Sequence, residues 1–125
     1  MKVGDIVRIF APTAGKKKYH FCVCIPENEI AGCFLFLNSD PNFRDCLSFD
    51  CERIPFLPVS QTGKTAISFS IMLRHSDEKL KLFGAEVLGE MPKDLIAEMI
   101  GFLDTVTSMP SKEKAIVRAS LNILK

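Results

Sequence analysis

Two apolar stretches in the first third of the chain decide its fold. Residues 17–25 read Lys-Lys-Tyr-His-Phe-Cys-Val-Cys-Ile, and residues 33–40 read Cys-Phe-Leu-Phe-Leu-Asn-Ser-Asp. Each stretch is apolar at both odd and even positions, which is typical of a strand buried on both faces of a sheet. We therefore predict central strands over about 19–25 and about 30–37. The first begins beside cations and the second ends in small polar residues, so these two ends together predict an anion-binding site.

Size and charge limit the classes of protein to consider. The chain has 125 residues, of which 47% are hydrophobic, and this suits one domain over residues 1–125 with one core. The net charge of +1 excludes a protein that coats nucleic acid through its overall charge. Any binding of nucleic acid must use a local basic patch, most clearly Lys16, Lys17 and Lys18. No apolar run has the length of a signal peptide or a membrane span, so we expect a cytoplasmic protein without a membrane partner.

The five cysteines predict buried, reduced thiols. Their number is odd, and Cys22, Cys24 and Cys33 lie inside apolar runs, as expected for a cytoplasmic protein. Together with Cys46 and Cys51 they also raise the alternative of a zinc site. Alternate residues of a strand do not make the two-residue knuckle of structural zinc sites. We therefore expect no metal and no cofactor.

The rest of the chain divides into strands followed by helices. Alternation predicts further strands over 6–10, 47–49, 64–73 and 82–88, with surface loops at 12–18, 52–63 (including one helical turn) and 74–80. Apolar residues then recur at helical spacing after Pro92 and again from about Pro110. Strands over about 5–88 and helices over about 92–124 predict a mainly-β α+β fold, with a small barrel or strongly curved sheet of five to six strands and two C-terminal helices.

These residues, in this order, resemble a divergent member of the PemK/MazF-type toxin family of bacterial toxin–antitoxin systems. The opening Val3-Gly4-Asp5-Ile6-Val7 is similar to the family's Gly-Asp-Ile-Val first strand. The segment 18–23 resembles its basic loop leading into an apolar strand, and the third strand ends in Asn38-Ser39 where the family has a threonine or serine. A strand at 82–88, a Gly-x-Met-Pro turn and a terminal helix follow in the same order.

The resemblance implies an SH3-like (PemK/CcdB-like) barrel that forms a homodimer. Many members of the family are growth inhibitors that act as mRNA interferases, which are metal-independent endoribonucleases. They cut single-stranded RNA by attack of its own 2′-hydroxyl and leave a cyclic phosphate. A cognate antitoxin neutralises them by laying a peptide over the RNA groove. Single-stranded RNA and an antitoxin are therefore the expected partners.

The resemblance assigns catalytic roles to Lys18 and Ser39. Lys18 stands where the family commonly has arginine, and its ammonium can stabilise charge on a scissile phosphate without offering a bidentate fork. Ser39, with Asn38, would position that phosphate. Ser68 falls where the family has an acidic residue. These two departures keep open whether the chain is an enzyme. One alternative is a catalytically inactive barrel that binds protein or nucleic acid. Another is an SH3-like module unrelated to toxins.

The candidates for substrate binding are Lys17, His20, Asn38, Ser68, Arg74 and His75. The lysines either bind phosphates or form part of a solvated loop. His20 carries an imidazole that titrates near neutral pH and suits acid–base catalysis. Strand alternation, however, places His20 on the face of Cys22 and Cys24, which favours a core or dimer-interface histidine.

The remaining candidates also allow two interpretations. Asn38, Ser39 and Asp40 either orient a 2′-hydroxyl or close the third strand with an Asx-type turn. Ser68 shares a small polar strand face with Ser70, which suits a groove floor or a solvent-facing strand. Arg74 and His75, at a strand end, contact RNA or belong to a solvated loop.

Overall fold

The computed structural model of the protein describes residues 1–25, 31–38 and 44–125. Within these ranges the chain forms a seven-stranded antiparallel sheet and three helices, so the mainly-β α+β class is confirmed. In chain order the elements are β1 (Asp5–Ala11), β2 (Lys16–Cys24), β3 (Ala31–Asn38), β4 (Cys46–Asp50), β5 (Lys64–Ser68), β6 (Leu73–Ser76), α1 (Asp77–Leu82), β7 (Glu86–Glu90), α2 (Lys93–Leu103) and α3 (Ser111–Leu124).

Strand β3 lies at the centre of the sheet. The strand order is β4-β5-β3-β2-β1-β7, with β6 also paired to β3. One edge of β3 pairs with β2, and the other edge is shared between β6 at its beginning and β5 at its end. Neighbouring strands cover both edges, and packed side chains cover both faces. This is why β3, and β2 from Phe21 onward, are apolar at both odd and even positions.

The predicted closure into a small barrel is wrong for the described residues. The strands at the two ends of the sheet, β4 and β7, pair only with β5 and with β1. The predicted strand over 64–73 is divided in two: β5 ends at Ser68, and the chain returns to the sheet as β6 at Leu73. This division raises the number of strands to seven.

The charged segment predicted as a loop at 74–80 forms the end of β6 and the helix α1. Ser76 caps this helix because its side chain accepts a hydrogen bond from the Lys79 amide at 3.1 Å, and Asp77 and Glu78 follow in the first turn. A serine followed by two acidic residues is a sequence signal for the start of a helix. The high charge of the segment instead favoured the prediction of a loop. Gly84, with φ of +61°, then redirects the chain, so β7 begins at Glu86 instead of residue 82.

The lysine run is part of a strand and not a flexible loop. Lys16, Lys17 and Lys18 begin β2 and pair with Ala11, Phe10 and Ile9 of β1. Pairing with β1 holds the three cations in an extended row. Only residues 12–15 turn between the two strands.

Two cores cover the two faces of the sheet. The larger core joins sheet residues such as Phe21 and Leu35 to Leu95, Met99 and Leu121 of the C-terminal helices. These helices begin after Pro92 and Pro110, as predicted. On the other face, α1 covers a smaller apolar cluster that consists of Val7, Ile9, Cys22, Phe34 and Leu80.

None of the helices in the described ranges is long and apolar enough to cross a membrane.

Residues 51–63, which we call the strap, link the two ends of the sheet. The strap begins with a 3₁₀ turn, Cys51–Arg53, directly after β4. Its Ile54 and Leu57 are buried in the larger core, and its Phe56 lies over Gly89 of β7. Side-chain packing by the strap therefore connects the opposite edge strands, which do not pair with each other.

The strap is also tied to α2. The Arg53 guanidinium donates to Asp94 at 2.9 Å and forms an ion pair with Glu98. The two carboxylates raise the pKa of Arg53, Glu98 more strongly than Asp94. The strap is thus held to a strand and to a helix, which fixes the position of its remaining residues.

The contact between Phe56 and Gly89 yields a test of the strap. A Cβ added at Gly89 would lie 2.7 Å from the Phe56 ring, so Gly89→Ala must displace that ring and should lower the free energy of unfolding by about 1 kcal/mol. The matched control is Gly101→Ala in α2, where a Cβ meets nothing within 4 Å. That change should stabilise by about 0.5–1 kcal/mol through helix propensity. Urea unfolding measures both, and stabilisation of equal size by both would contradict the strap contact.

Candidate nucleic-acid interface

A groove of about 500 Å³ opens where β2 begins, β3 ends and the strap crosses them. Strand β2 contributes residues 16–19, β3 contributes Leu37 and Asn38, and β5 contributes Thr65. The strap contributes Cys51 and its segment 57–62. The volume lies in the range of small-ligand sites, which is about 300–1,000 Å³. The groove therefore forms between segments that are remote along the chain.

Three lysines supply the charge of the groove. Lys16 and Lys17 are exposed, and Lys18 is half-buried. Among the described residues, none of the three forms a salt bridge with a carboxylate, in contrast to Lys2, Lys64 and Lys81. All three residues line the groove, and strand alternation places Lys17 on the face of β2 that carries Tyr19, with Lys16 and Lys18 on the face that carries His20. A short row of such cations on a strand suits an anionic chain of phosphates.

Hydroxyl groups line the strap side of the groove. The Ser60 hydroxyl donates to the Lys64 carbonyl at 2.6 Å and lies 3.2 Å from Thr62 Oγ1. Thr62 Oγ1 accepts from the Lys64 amide at 3.3 Å, and Gly63 turns the chain with φ of +72°. The Cys51 thiol lies 3.6 Å from Ser60 Oγ. These bonds hold the strap segment in one arrangement opposite the lysines.

The end of β3 is fixed against β5. Thr65, which is 8% exposed, donates a hydrogen bond from its hydroxyl to the Asn38 carbonyl at 3.2 Å, and Asn38 pairs with Ala66. Register also places Tyr19 beside Leu37, so the first residues of β2 lie next to the last residues of β3. Antiparallel pairing thus brings the lysine run to the polar strand end, as the sequence predicts.

Of the predicted site residues, Lys17, Lys18 and Asn38 meet in this groove. Ser39 and Asp40 lie in residues 39–43, outside the described part of the chain. Ser68 does not line the groove: it is the last residue of β5, pairs with Cys46, and has its Oγ 3.0 Å from Ser70 Oγ.

Sequence reasoning missed Tyr19, Thr65 and the hydroxyls of the strap. The strap segment 57–62 reads Leu-Pro-Val-Ser-Gln-Thr, which indicates a loop but not the part of the sheet that it faces. The apolar pattern identifies Tyr19 only as one residue of a buried strand. Its position at the end of the strand, beside the lysines, is the signal that could have identified it.

His20 and His75 lie in an aromatic cluster and not in the groove. The His20 ring is 4.7 Å from Phe36 and 5.7 Å from His75 between centroids, with Phe34 also in contact. His20 is 2% exposed, and its Nδ1 is 3.2 Å from the Lys18 carbonyl oxygen. Burial, with a smaller contribution from His75, lowers the pKa of His20 to about 4. The interpretation of His20 as a buried core histidine is therefore the one that fits.

Arg74 and His75 are far from the groove along β3. His75 pairs with Gly32, which lies roughly 20 Å from Asn38 along the strand, at about 3.3 Å per residue. Arg74 is exposed, and His75 is half-buried with an Nε2 that has no hydrogen-bond partner in the described ranges. Burial, and to a lesser extent Lys79, lowers the pKa of His75. A contact of either residue with a ligand in the groove would require a ligand that extends the length of β3.

The five cysteines, all within the described ranges, form no disulfide with one another. Burial raises the pKa of Cys22 to about 12, which keeps this thiol protonated. Within the part of the chain that the structure describes, no group of three or more His, Cys, Asp or Glu side chains is placed to hold a metal ion.

Comparison of the chain with protein-family models, with curated proteins and with solved structures finds no match in any of the three. The resemblance to PemK/MazF-type toxins therefore rests on the sequence motifs alone.

The buried imidazole of His20 predicts a loss of stability in acid. Because the folded protein holds its pKa near 4 and an unfolded histidine titrates near 6.5, only the unfolded state binds a proton between these values. Stability should therefore fall by about 2 kcal/mol between pH 7 and pH 5.

His20→Gln removes this titration and keeps a side-chain donor near the Lys18 carbonyl, so its unfolding free energy should depend less on pH in that interval. His75→Gln is the matched control, and should retain most of the wild-type dependence because His20 is still present. Equal pH dependence in the wild type and His20→Gln, measured by urea unfolding at both pH values, would contradict the assignment.

Proposed function

We propose that this protein is a PemK/MazF-type toxin domain that binds single-stranded RNA in the groove and cleaves it. The observation that supports the proposal is the row of Lys16, Lys17 and Lys18, held on a strand opposite the hydroxyls of the strap and beside Asn38. Lysines neutralise phosphates, whereas hydroxyl and amide groups hydrogen-bond to ribose and bases. In this proposal the open sheet bridged by the strap is a divergent form of the SH3-like barrel, and the protein acts as a homodimer with a cognate antitoxin.

The proposed reaction uses the 2′-hydroxyl of the RNA as nucleophile. The 2′-oxygen bonds to phosphorus, the bond to the 5′-oxygen of the next nucleotide breaks, and a 2′,3′-cyclic phosphate and a free 5′-hydroxyl remain. The proton lost by the 2′-hydroxyl is balanced by the proton gained by the leaving 5′-oxygen. Lys18 would stabilise the negative charge that develops on the phosphate, and Asn38 and Ser39 would position it.

A second candidate function is a module that binds RNA or an antitoxin-like peptide without cleavage. It is favoured by one feature of the groove: the described residues that line it include no aspartate, glutamate or histidine. These are the side chains that most often transfer protons in catalysis. Ser68, at the position where the family has an acidic residue, does not line the groove either.

Binding is tested with a labelled single-stranded oligoribonucleotide at several salt concentrations. Lys17→Ala and Lys18→Ala should each weaken binding and reduce the slope of log K against log salt by about 0.7, because each removes one phosphate contact. Lys112→Ala, an exposed lysine of α3 outside the groove, is the matched control and should change neither quantity. Equal effects of all three changes would show that binding does not involve the groove.

Cleavage is tested by incubating the purified protein and RNA with a chelator and examining the products for cyclic-phosphate ends. The proposal expects such ends, slower cleavage by Lys18→Ala and by Ser39→Ala, and unchanged cleavage by Lys112→Ala. Expression of the wild type should also arrest growth. RNA that is bound but not cut, together with normal growth, would reject the enzyme and favour the second candidate. Cutting that neither Lys18→Ala nor Ser39→Ala slows would place the catalytic site elsewhere.

A further inference from the structure

Tyr19 is an aromatic residue at the base of the groove, next to the lysines. Its ring is half-buried, packs against the larger core, and lines the groove. Register places it between Arg8 on β1 and Leu37 on β3. Arg8 is itself paired with Glu86 at 2.5 Å and also interacts with the Tyr19 hydroxyl. The ring is therefore held in position by its neighbours before any ligand arrives.

The strap places apolar side chains across the groove from this lysine-rich strand. Pro58 is exposed and Val59 is 77% exposed, although both line the groove. A site for phosphate alone needs only donors and positive charge, which the lysines supply. An aromatic ring and an exposed apolar wall beside those lysines instead suit a ligand with a flat, weakly polar part attached to an anion.

We propose that Tyr19 is the residue that holds an unpaired base in the groove, with the base stacked on its ring beneath the strap and an adjoining phosphate on Lys17, which lies on the same face of β2 as Tyr19. The inference rests on the proposed function, which supplies the single-stranded RNA, and adds to it the residue that contacts the base. A duplex does not satisfy this arrangement because its bases are stacked on each other inside the helix. A chain of phosphates without bases would use the lysines and leave Tyr19 and Val59 without a partner.

The composition of the chain makes Tyr19 a direct reporter of this contact. It is the only tyrosine, and there is no tryptophan. Intrinsic fluorescence at wavelengths longer than the emission of phenylalanine therefore comes from this one ring. The probe is a 2′-O-methyl oligouridylate, which carries unpaired bases and lacks the hydroxyl needed for cleavage. Its binding is measured by the anisotropy of a labelled copy, and stacking is measured by quenching of tyrosine emission by an unlabelled copy. We expect quenching to saturate with the same midpoint as binding.

Two substitutions separate stacking from charge. Tyr19→Phe keeps an aromatic face and should bind the oligouridylate within about twofold of the wild type. Tyr19→Leu keeps apolar volume in the core but has no aromatic face, and should bind about 5- to 150-fold more weakly with an unchanged salt slope. A thermal melt of each variant establishes that it is folded.

Polyphosphate, duplex RNA and polyglutamate are the control ligands. Binding of oligouridylate without quenching would overturn the stacking inference and leave the proposed RNA binding intact. Equal quenching by polyphosphate would also overturn it, since that polymer has no bases. Polyglutamate that binds as tightly as RNA would assign the groove to an acidic peptide instead. The absence of any binding to the oligouridylate would overturn both the inference and the proposed function.

Discussion

The structure depends on one strand that is covered on all sides. β3 pairs along both edges, and its adjacent residues Phe34 and Leu35 are both fully buried although they face opposite sides of the sheet. Each of these side chains belongs to a different core, one under α1 and the other under α2 and α3. Fully burying such side chains contributes about 1.5–3 kcal/mol each. A shift of β3 by one residue would turn each side chain to the opposite face and disrupt both cores. The register that preserves the cores also sets Tyr19 beside Leu37, and thereby aligns the lysines with the end of β3.

The strap both stabilises the fold and forms part of the groove. Its buried residues, Ile54 and Leu57, and its contact with Gly89 hold the sheet ends together, while the segment that follows forms one wall of the groove. A closed barrel would connect the sheet ends by backbone hydrogen bonds and would leave no such crossing segment. An open sheet bridged by side chains instead places a loop over one end, and loops on rigid scaffolds are common positions for binding residues.

A second tie fixes the C-terminal helices. Asp45, which has a left-handed φ of +54°, accepts hydrogen bonds from the Thr107 amide at 3.2 Å and the Ser108 amide at 2.9 Å, and from the Ser108 hydroxyl. The Ser108 hydroxyl makes the largest contribution to lowering the pKa of Asp45. The link joins the turn before β4 to the connection between α2 and α3. The charge-assisted bonds therefore hold the helices against the sheet from which the strap departs.

By itself, the sequence determined the class of fold, the two central strands, the positions of the C-terminal helices and the placement of the lysines near Asn38. Each of these follows from a local period or from the adjacency of consecutive antiparallel strands, which depend only on the order of residues. The tertiary structure decided that the sheet is open, that Lys16, Lys17 and Lys18 are held in a strand, and that His20 is buried away from the groove. It also decided that the strap, together with Tyr19, completes the groove. Those outcomes depend on contacts between residues far apart in the chain, such as Phe56 with Gly89 and Arg53 with Asp94, and no local pattern specifies which remote segments will meet.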